Sequence, residues 1–380
     1  MSNVIVMPGT VYQKELILFL KEKKHYVITV NPCETEATKN SDEVVFCDIF
    51  DTDKIVEKLN GKKINQIYTD QSDIALLPCS RLSEKLNIQF YLKQETIEKF
   101  SSNKFKMYKH AEENNILTLE CEKAYSVNDI TFEPPFVFKP TDTSNSRGVI
   151  GVFNKDNINN LFQKTMSFTK EKYILVQKYI NPDLQIIVDG ICLNKKHYNL
   201  AHSYKGPYWS IAVTSFIRWP LNDVMDDNLI KNLNETNNKF VQSTGCENCI
   251  THAEYLYKDN KFYLNEIACR GGGFHISSNI APYVSSVNIY EYFYNSVNKK
   301  EFKFENKITE KSAILKFYKQ ELKNSKPVEK DIMYESNFRE REYTKNESNP
   351  RLSFAIIKSE NNRNLDKKIK EFENTCLSND

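Results

Sequence analysis

Two runs of alternating residues, 251–257 and 262–268, flank the turn-forming stretch Lys258-Asp259-Asn260-Lys261. Period-two alternation marks half-buried strands, so the segment THAEYLYKDNKFYLNEIACRGGG reads as a β-hairpin followed by a glycine triplet. On the first strand His252, Glu254 and Leu256 share a face, with Tyr255 and Tyr257 on the other. On the second, Phe262, Leu264, Glu266 and Ala268 share one. A turn centred on Asn260 sets Glu254 directly across from Glu266. Opposed carboxylates in a half-buried sheet repel, and neither sheds its charge cheaply. A hard divalent cation between them removes the conflict, and Mg²⁺ takes one or two carboxylates together with phosphate oxygens. Arg270 precedes Gly271, Gly272 and Gly273, which let backbone approach a ligand closely. The stretch therefore reads as a magnesium–phosphate site. Glutamates on a hairpin are also common as solvated surface, so the reading leans on what the rest of the chain supplies.

At 380 residues the chain is long enough for two or three domains. Its 52 basic and 50 acidic residues nearly cancel, so no overall field draws nucleic acid or an anionic membrane; neither is expected as a partner. No apolar run approaches the roughly 20 residues of a membrane span, and the N-terminus lacks a signal-peptide layout. Nine scattered cysteines suit a reducing compartment better than a disulfide framework, so the expected location is the cytoplasm.

Residues 3–8 (NVIVMP) form an apolar run leading into Gly9 and Thr10. A helical pattern follows through Leu16, Ile17, Phe19 and Leu20, then a strand from Tyr26 to Val30. Strand, helix and strand in this order open a parallel α/β layer. Helices near 51–60 and 72–87 and strands near 64–69 and 88–92 complete a first domain, 1–95. Its first turn has one glycine rather than G-x-G-x-x-G, so the layer reads as scaffold or substrate wall.

A charged helical stretch, 95–115, breaks at Ser101-Ser102 and carries Lys104, which alone would pass for a solvated lysine. Strand 135–139 (PFVFK) is different. Its apolar run ends in Lys139, and a lysine there needs an anionic partner such as phosphate. The following loop, Thr141 to Gly148, is rich in small hydrogen-bonding residues and holds Arg147. Such a loop can wrap polyphosphate with backbone N–H groups or be plain surface. Strand 173–180 carries Gln177 and Lys178, and strand 185–188 is closed by Asp189-Gly190, a turn signal. A helix at 226–243 precedes the acid-bearing hairpin, and one from about 287 closes a second domain at 96–300. Residues 301–380 keep strands at 313–317 and 353–358 and a helix at 364–376. They read as a small C-terminal α+β segment with nothing catalytic in it.

In this order and spacing the motifs resemble the ATP-grasp superfamily of carboxylate–amine ligases over most of the chain. EIACRGGGFHIS is most similar to the branch holding bacterial L-amino acid ligases and carbamoyl-phosphate-synthetase-like proteins. The resemblance implies an α/β and α+β architecture: a Rossmann-like pre-ATP-grasp domain (1–95), an ATP-grasp domain of two α+β subdomains clamping ATP (96–300), and the small C-terminal segment. It assigns ATP contacts to Lys104, Lys139, Ser144, Ser146, Gln177, Lys178, Ile180 and Gln185. Glu254 and Glu266 take the metal, Mg²⁺ with Mn²⁺ as a substitute, and Arg270, Lys139 and Arg147 take catalytic roles. Three positions depart from the pattern: Gln177 and Gln185 stand where glutamate is usual, and Ala268 replaces an asparagine that often assists a second metal. A glutamine carbonyl still accepts a hydrogen bond, and water can replace a neutral ligand on Mg²⁺.

What the resemblance implies is ADP-forming ligation. A carboxylate attacks the γ-phosphate of ATP to give an acyl phosphate, which an amine then converts to an amide or peptide bond. The expected partners are therefore small-molecule acids and amines, an amino acid among them, with Arg218, His202, Tyr204, His275 and Asn279 as candidate substrate contacts. Dimers are frequent among the proteins it resembles, which leaves a homodimer open. Two alternatives keep the fold: nucleotide binding without turnover, and a different acceptor, as in carbamoyl phosphate formation or carboxylation. A third makes Cys246, Cys249, His252 and Cys269 a zinc site. The C-x₂-C spacing fits it, but the other two ligands are offset across the hairpin.

Overall fold

The computed structural model describes residues 2–143, 146–305, 309–323, 331–336, 338 and 350–377. The chain opens with a parallel sheet of β1 (Asn3–Val6), β2 (Tyr26–Asn31), β3 (Glu43–Phe46) and β4 (Gln66–Tyr68), in the order β3-β2-β1-β4. Helices α1 (Lys14–Glu22), α2 (Thr52–Leu59) and α3 (Asp73–Lys85) connect or follow these strands. The apolar stripe of α1, Leu16, Ile17 and Leu20, is buried in the core, as a 3.6-residue period requires. Residues 88–92, expected as a strand, are irregular, whereas β3 carries no clear alternation in the sequence. The layer ends with α4 (Gln94–Glu98).

A second sheet is antiparallel, with β5 (Cys121–Ala124), β6 (Phe136–Lys139), β7 (Ile150–Val152) and β8 (Ile174–Lys178) in the order β5-β8-β6-β7. Before it lies α5 (Lys104–Glu113), whose N-cap Asn103 accepts a 3.1 Å hydrogen bond from the Lys106 amide, so Lys104 is its first helical residue. Helix α6 (Ile158–Met166) packs Phe162 against Phe138 of this sheet.

The third sheet organises the rest. It contains β9 (Leu184–Leu193), β10 (Lys196–Lys205), β13 (Phe216–Trp219), β14 (Cys249–Lys258), β15 (Lys261–Ala268), β16 (Ser312–Tyr318), β17 (Ile332–Glu335) and β18 (Ser353–Ser359). Between β10 and β13 a separate ribbon forms from β11 (Tyr208–Ser210) and β12 (Val213–Thr214). The strand order is β15-β14-β9-β10-β13-β16-β18-β17, so the strands beyond residue 300 continue the same sheet. Residues 301–380 are thus not an appendage: β16 pairs with β13 along four residues. Helix α7 (Asp227–Ser243) lies on one face, and α8 (Ala281–Ser285) and α9 (Ile289–Val297) pack with the other, while α10 (Asn362–Cys376) covers β16 and β18. Asp189 and Gly190, expected as a turn, sit inside β9 instead. A Cβ on Gly190 would stand 2.7 Å from His197 Nε2, so the glycine serves close strand packing. No helix among the described residues is long and apolar enough to cross a membrane.

Candidate active site

The acid-bearing hairpin forms, but by a different geometry from simple alternation. Lys258 pairs with Lys261, and Asp259 and Asn260 both adopt positive φ, giving a two-residue turn. That register, carried down the ladder, would set Glu254 opposite Asn265. A β-bulge at Asn265 shifts it by one, so Tyr255 faces Leu264 while Glu254 faces Glu266. The bulge also splits the face expected for the second strand. Phe262 and Leu264 turn into the core, whereas Asn265, Glu266 and Ala268 line a cleft. The bulge residue is gripped from both neighbouring elements: Tyr108 Oη donates to its carbonyl at 2.8 Å, and Lys139 Nζ to its side-chain oxygen at 2.8 Å.

The two carboxylates do not face each other unaided. Lys205 Nζ lies 2.6 Å from Glu254, and Lys104 Nζ lies 3.5 Å from Glu266. Beyond the divalent cation expected between them, each acid has a lysine of its own to offset its charge. Burial opposes the charge on Glu254, but Lys205, His252 and Arg270 outweigh it and hold the carboxyl down at about 2. His252 in turn bonds the buried Asp189 at 2.7 Å. Burial pushes the Lys139 ammonium down to about 8, despite the attraction of Glu266.

Arg270 enters the cleft from the end of the hairpin. Its guanidinium holds Asp73, the first residue of α3, with Nε at 2.9 Å, and Nη1 donates to the Gly271 carbonyl at 2.8 Å. Burial disfavours its charge, but Asp73 overrides that and keeps its pKa above the ordinary value. Gly271 is squeezed between layers. A Cβ there would lie 2.2 Å from Ser277 Cβ and 2.6 Å from Asp70, whose carboxylate accepts from the Gly271 amide, Ser277 and Tyr290. Gly271 therefore docks the end of the hairpin onto the first layer.

The cleft measures about 520 Å³, inside the ~300–1,000 Å³ span of small-molecule sites. Its walls come from the second sheet on one side and the third on the other. No protein-family model matches the chain, and no curated protein matches it. Solved structures do. Phosphoribosylglycinamide synthetase from Anaerococcus prevotii is 18% identical with a TM-score of 0.75, covering 99% of this chain and 98% of its own. L-amino acid ligase from Bacillus licheniformis is 15% identical with a TM-score of 0.78, covering 99% and 98%. Biotin carboxylase from Campylobacter jejuni, solved as its complex with β,γ-ATP, is 15% identical with a TM-score of 0.77, covering 99% and 91%. The chain has the ATP-grasp fold.

Within the ATP-grasp cleft the structure brings together Lys104, Lys139, Ser146, Gln177, Lys178, Ile180, Gln185, Glu254, Glu266 and Arg270. Arg147 is not among the lining residues, and Ser144 lies outside the described residues. Lys178 lines the rim while its ammonium pairs with Glu120 at 2.7 Å. Gln177 is buried, and its amide nitrogen meets no geometrically sound hydrogen-bond acceptor among the described residues. Such a donor fits a ring-nitrogen or carbonyl acceptor of a nucleotide base. The excess of cations around two carboxylates likewise fits a polyphosphate. Two carboxylates leave an ion such as Mg²⁺ to complete its shell from phosphate and water.

The five candidate substrate contacts stay outside the cleft. Arg218 reaches Asp366 of α10 at 2.7 Å, His202 bonds Asn234 of α7, and Tyr204 packs edge-on to Phe216. The His275 ring packs on Tyr12, and Asn279 is half-buried with its Oδ1 shielded from solvent. The zinc arrangement also fails. Cys249 and His252 occupy opposite faces of β14, the Cys246 and Cys249 sulfurs meet 3.1 Å apart in the core, and no metal-holding cluster of three or more His, Cys, Asp or Glu occurs among the described residues.

Sequence reasoning missed Lys205, Asn265, Tyr208, Phe274, Phe317, Phe338 and Arg351, all of which line the cleft. A lysine ending a strand reads as solvated until its cross-sheet acid is known. One signal marks Asn265 in the sequence: it falls between Tyr263 and Ile267 on one face of the strand, directly beside a glutamate.

Proposed function

We propose that the protein is an ATP-dependent carboxylate–amine ligase, forming an amide or peptide bond with release of ADP and phosphate. The observation that carries this reading is the opposition of Glu254 and Glu266 in a cleft that also holds Lys104, Lys139, Lys205 and Arg270. Glu254 and Glu266 would hold Mg²⁺, which supplies charge neutralisation for phosphoryl transfer when bound. The carboxylate substrate attacks the γ-phosphorus, the β–γ bridging oxygen leaves with ADP, and an amine then displaces phosphate from the acyl phosphate.

This chain's residues contribute positioning and charge. Lys104 and Lys139 neutralise phosphate oxygens, and Ser146 and its loop cover them, with Arg147 as a cation on that loop. Gln177 donates its amide N–H to the base, while Ile180 and Gln185 flank the nucleoside and Lys178 supplies backbone at the rim. Arg270, held by Asp73, stabilises the transferring phosphoryl group and the later oxyanion. Nine free thiols accord with a reducing compartment such as the cytoplasm.

The test is ADP release from ATP and Mg²⁺ across a panel of acids paired with amines, with hydroxylamine added to trap the acyl phosphate. Acid-dependent ADP and a hydroxamate support the reading. A second reading, nucleotide binding without turnover, draws on Ala268, which lines the cleft without a ligating atom. Tight ADP binding with no acid-dependent release across the panel would favour it. ADP release that needs bicarbonate and no amine would move the reaction to carboxylation.

A further inference from the structure

Beyond the carboxylate pair, the wall of the cleft changes character. Gly273, Phe274, Ile276, Phe317 and Phe338 line it, and Arg351 stands at its side. Three of these are aromatic and mutually braced: the Phe274 ring meets Phe317 at 5.0 Å and Phe338 at 5.4 Å, both edge to face. The Arg351 guanidinium lies 3.7 Å over the Phe317 ring and donates to the Thr214 carbonyl at 2.8 Å, tying this wall to the β11–β12 ribbon. Ile276, Phe317 and Phe338 are themselves buried and brace the half-buried Phe274, the main apolar face this wall turns to the cleft; such a face takes an apolar ligand group, while Arg270 and Arg351 beside it suit an anionic head.

Gly273 is the informative position. Unlike Gly271 and Gly272, whose Cβ atoms would collide with Ser277, Asp70 or His252, a Cβ on Gly273 meets nothing within 4 Å, and its φ is one any residue adopts. Neither backbone conformation nor packing requires glycine there. What its missing side chain leaves is open volume in the cleft.

We propose that this end of the cleft takes a carboxylic acid bearing a bulky apolar or aromatic group, such as an aromatic or branched-chain amino acid, and that Gly273 sets the size of the group admitted. The proposal rests on the ligase reading for the position of the acid's carboxylate, near Arg270. A methylene in such a pocket is worth about tenfold in affinity or more, so side-chain size should be read strongly.

The experiment is calorimetric titration of the full chain with L-phenylalanine, L-leucine, glycine and L-aspartate, each with and without the Mg²⁺ complex of a non-hydrolysable ATP analogue. The expected result is that L-phenylalanine and L-leucine bind about tenfold or more tighter than glycine and L-aspartate. In Gly273→Leu, L-phenylalanine should lose about tenfold or more relative to glycine, and Gly273→Ala should fall between. Thermal melting of both variants, expected to match the parent, confirms that the change is in the pocket. Equal or tighter binding of glycine or L-aspartate, no binding of any of the four, or a Gly273→Leu variant that binds L-phenylalanine as the parent does would overturn the proposal. ADP release from ATP and Mg²⁺ across the same acids paired with amines reports separately on the ligase reading, so its failure shows as absent turnover while the acid titrations still stand.

Discussion

Lys139 donates its hydrogen bond to Asn265, the one residue of β15 that has no partner across the hairpin ladder. A buried lysine is thus aimed by a bulge, and the bulge that aims it also brings Glu266 opposite Glu254.

The charge on Lys139 has a pH signature. Its folded pKa is about 8 against an ordinary 10.5, so between those values the unfolded chain binds more protons than the folded one. Stability from this group therefore rises with pH through that window, and below pH 8 the folded protein carries the full cost of burying the ammonium. Lys139→Met should be more stable than the parent near pH 7.5, with the gap narrowing by on the order of 2–3 kcal/mol as pH approaches 10.5. Urea denaturation of both proteins at several pH values measures it; a gap that stays constant refutes the assignment. Conversely, nucleotide affinity should fall as pH rises through 8, because the bound polyanion needs the ammonium protonated.

Lys205 and Glu254 give the opposite sign. The Glu254 carboxyl is held at about 2, below its ordinary 4.5, so its contribution is fully present above 4.5 and is lost as pH falls toward 2. Lys205→Met removes the nearest cation and should cost on the order of 2 kcal/mol at neutral pH, after allowance for partial exposure. The loss should shrink on acidification toward pH 2. Added Mg²⁺ with nucleotide should recover part of it, since a cation then replaces the missing ammonium. Melting curves at pH 3, 5 and 7 with and without Mg²⁺ and ADP decide the matter.

The apolar strand ending in Lys139, the paired Glu254 and Glu266 and the arginine before the glycines show in local spacing, whereas Lys104 and Gln177 are named only through the family resemblance; all of them line one cleft. The parallel first layer was legible for the same reason: its apolar runs and helical stripes are short-range patterns. Contacts made across the fold were not. Lys205 becomes a site residue only because β10 and β14 flank β9, and Phe317 only because β16 pairs with β13. The Glu254–Glu266 pairing was expected from a turn on Asn260, yet it arises from a shorter turn compensated by a bulge. Two errors of register cancelled.

The same cross-sheet pairing predicts the fate of a shortened chain. Residues 1–300 lack β16, β17 and β18, so β13 becomes an edge with Trp219, now wholly buried, exposed beside it. Phe274 also loses its contacts with Phe317, Phe338 and Phe354. An unprotected apolar edge aggregates. The 1–300 fragment should be found in the insoluble fraction under conditions that give soluble full-length protein, and a soluble, cooperatively melting fragment would show the boundary at 300 to be a true domain limit.

Arg270 and Asp73 join the acid-bearing hairpin to the first layer, and that makes the usual alanine test misleading. The side chains are 12% and 10% exposed, so removing the arginine strands a nearly buried carboxylate. Breaking a buried pair from one side costs about 3–5 kcal/mol, whereas removing both partners is far milder. Arg270→Ala should therefore lower the melting temperature as well as abolish ADP release, and Asp73→Asn combined with it should restore most of the stability while restoring none of the turnover. Asp73→Asn alone leaves the guanidinium in the cleft without its anchor. Its expected effect is on kcat more than on KM for ATP, because the fault lies in orientation during phosphoryl transfer rather than in nucleotide binding. A double variant that stays as unstable as Arg270→Ala, or an Asp73→Asn enzyme with normal kcat, would separate the ion pair from the chemistry and leave it as a structural link between layers.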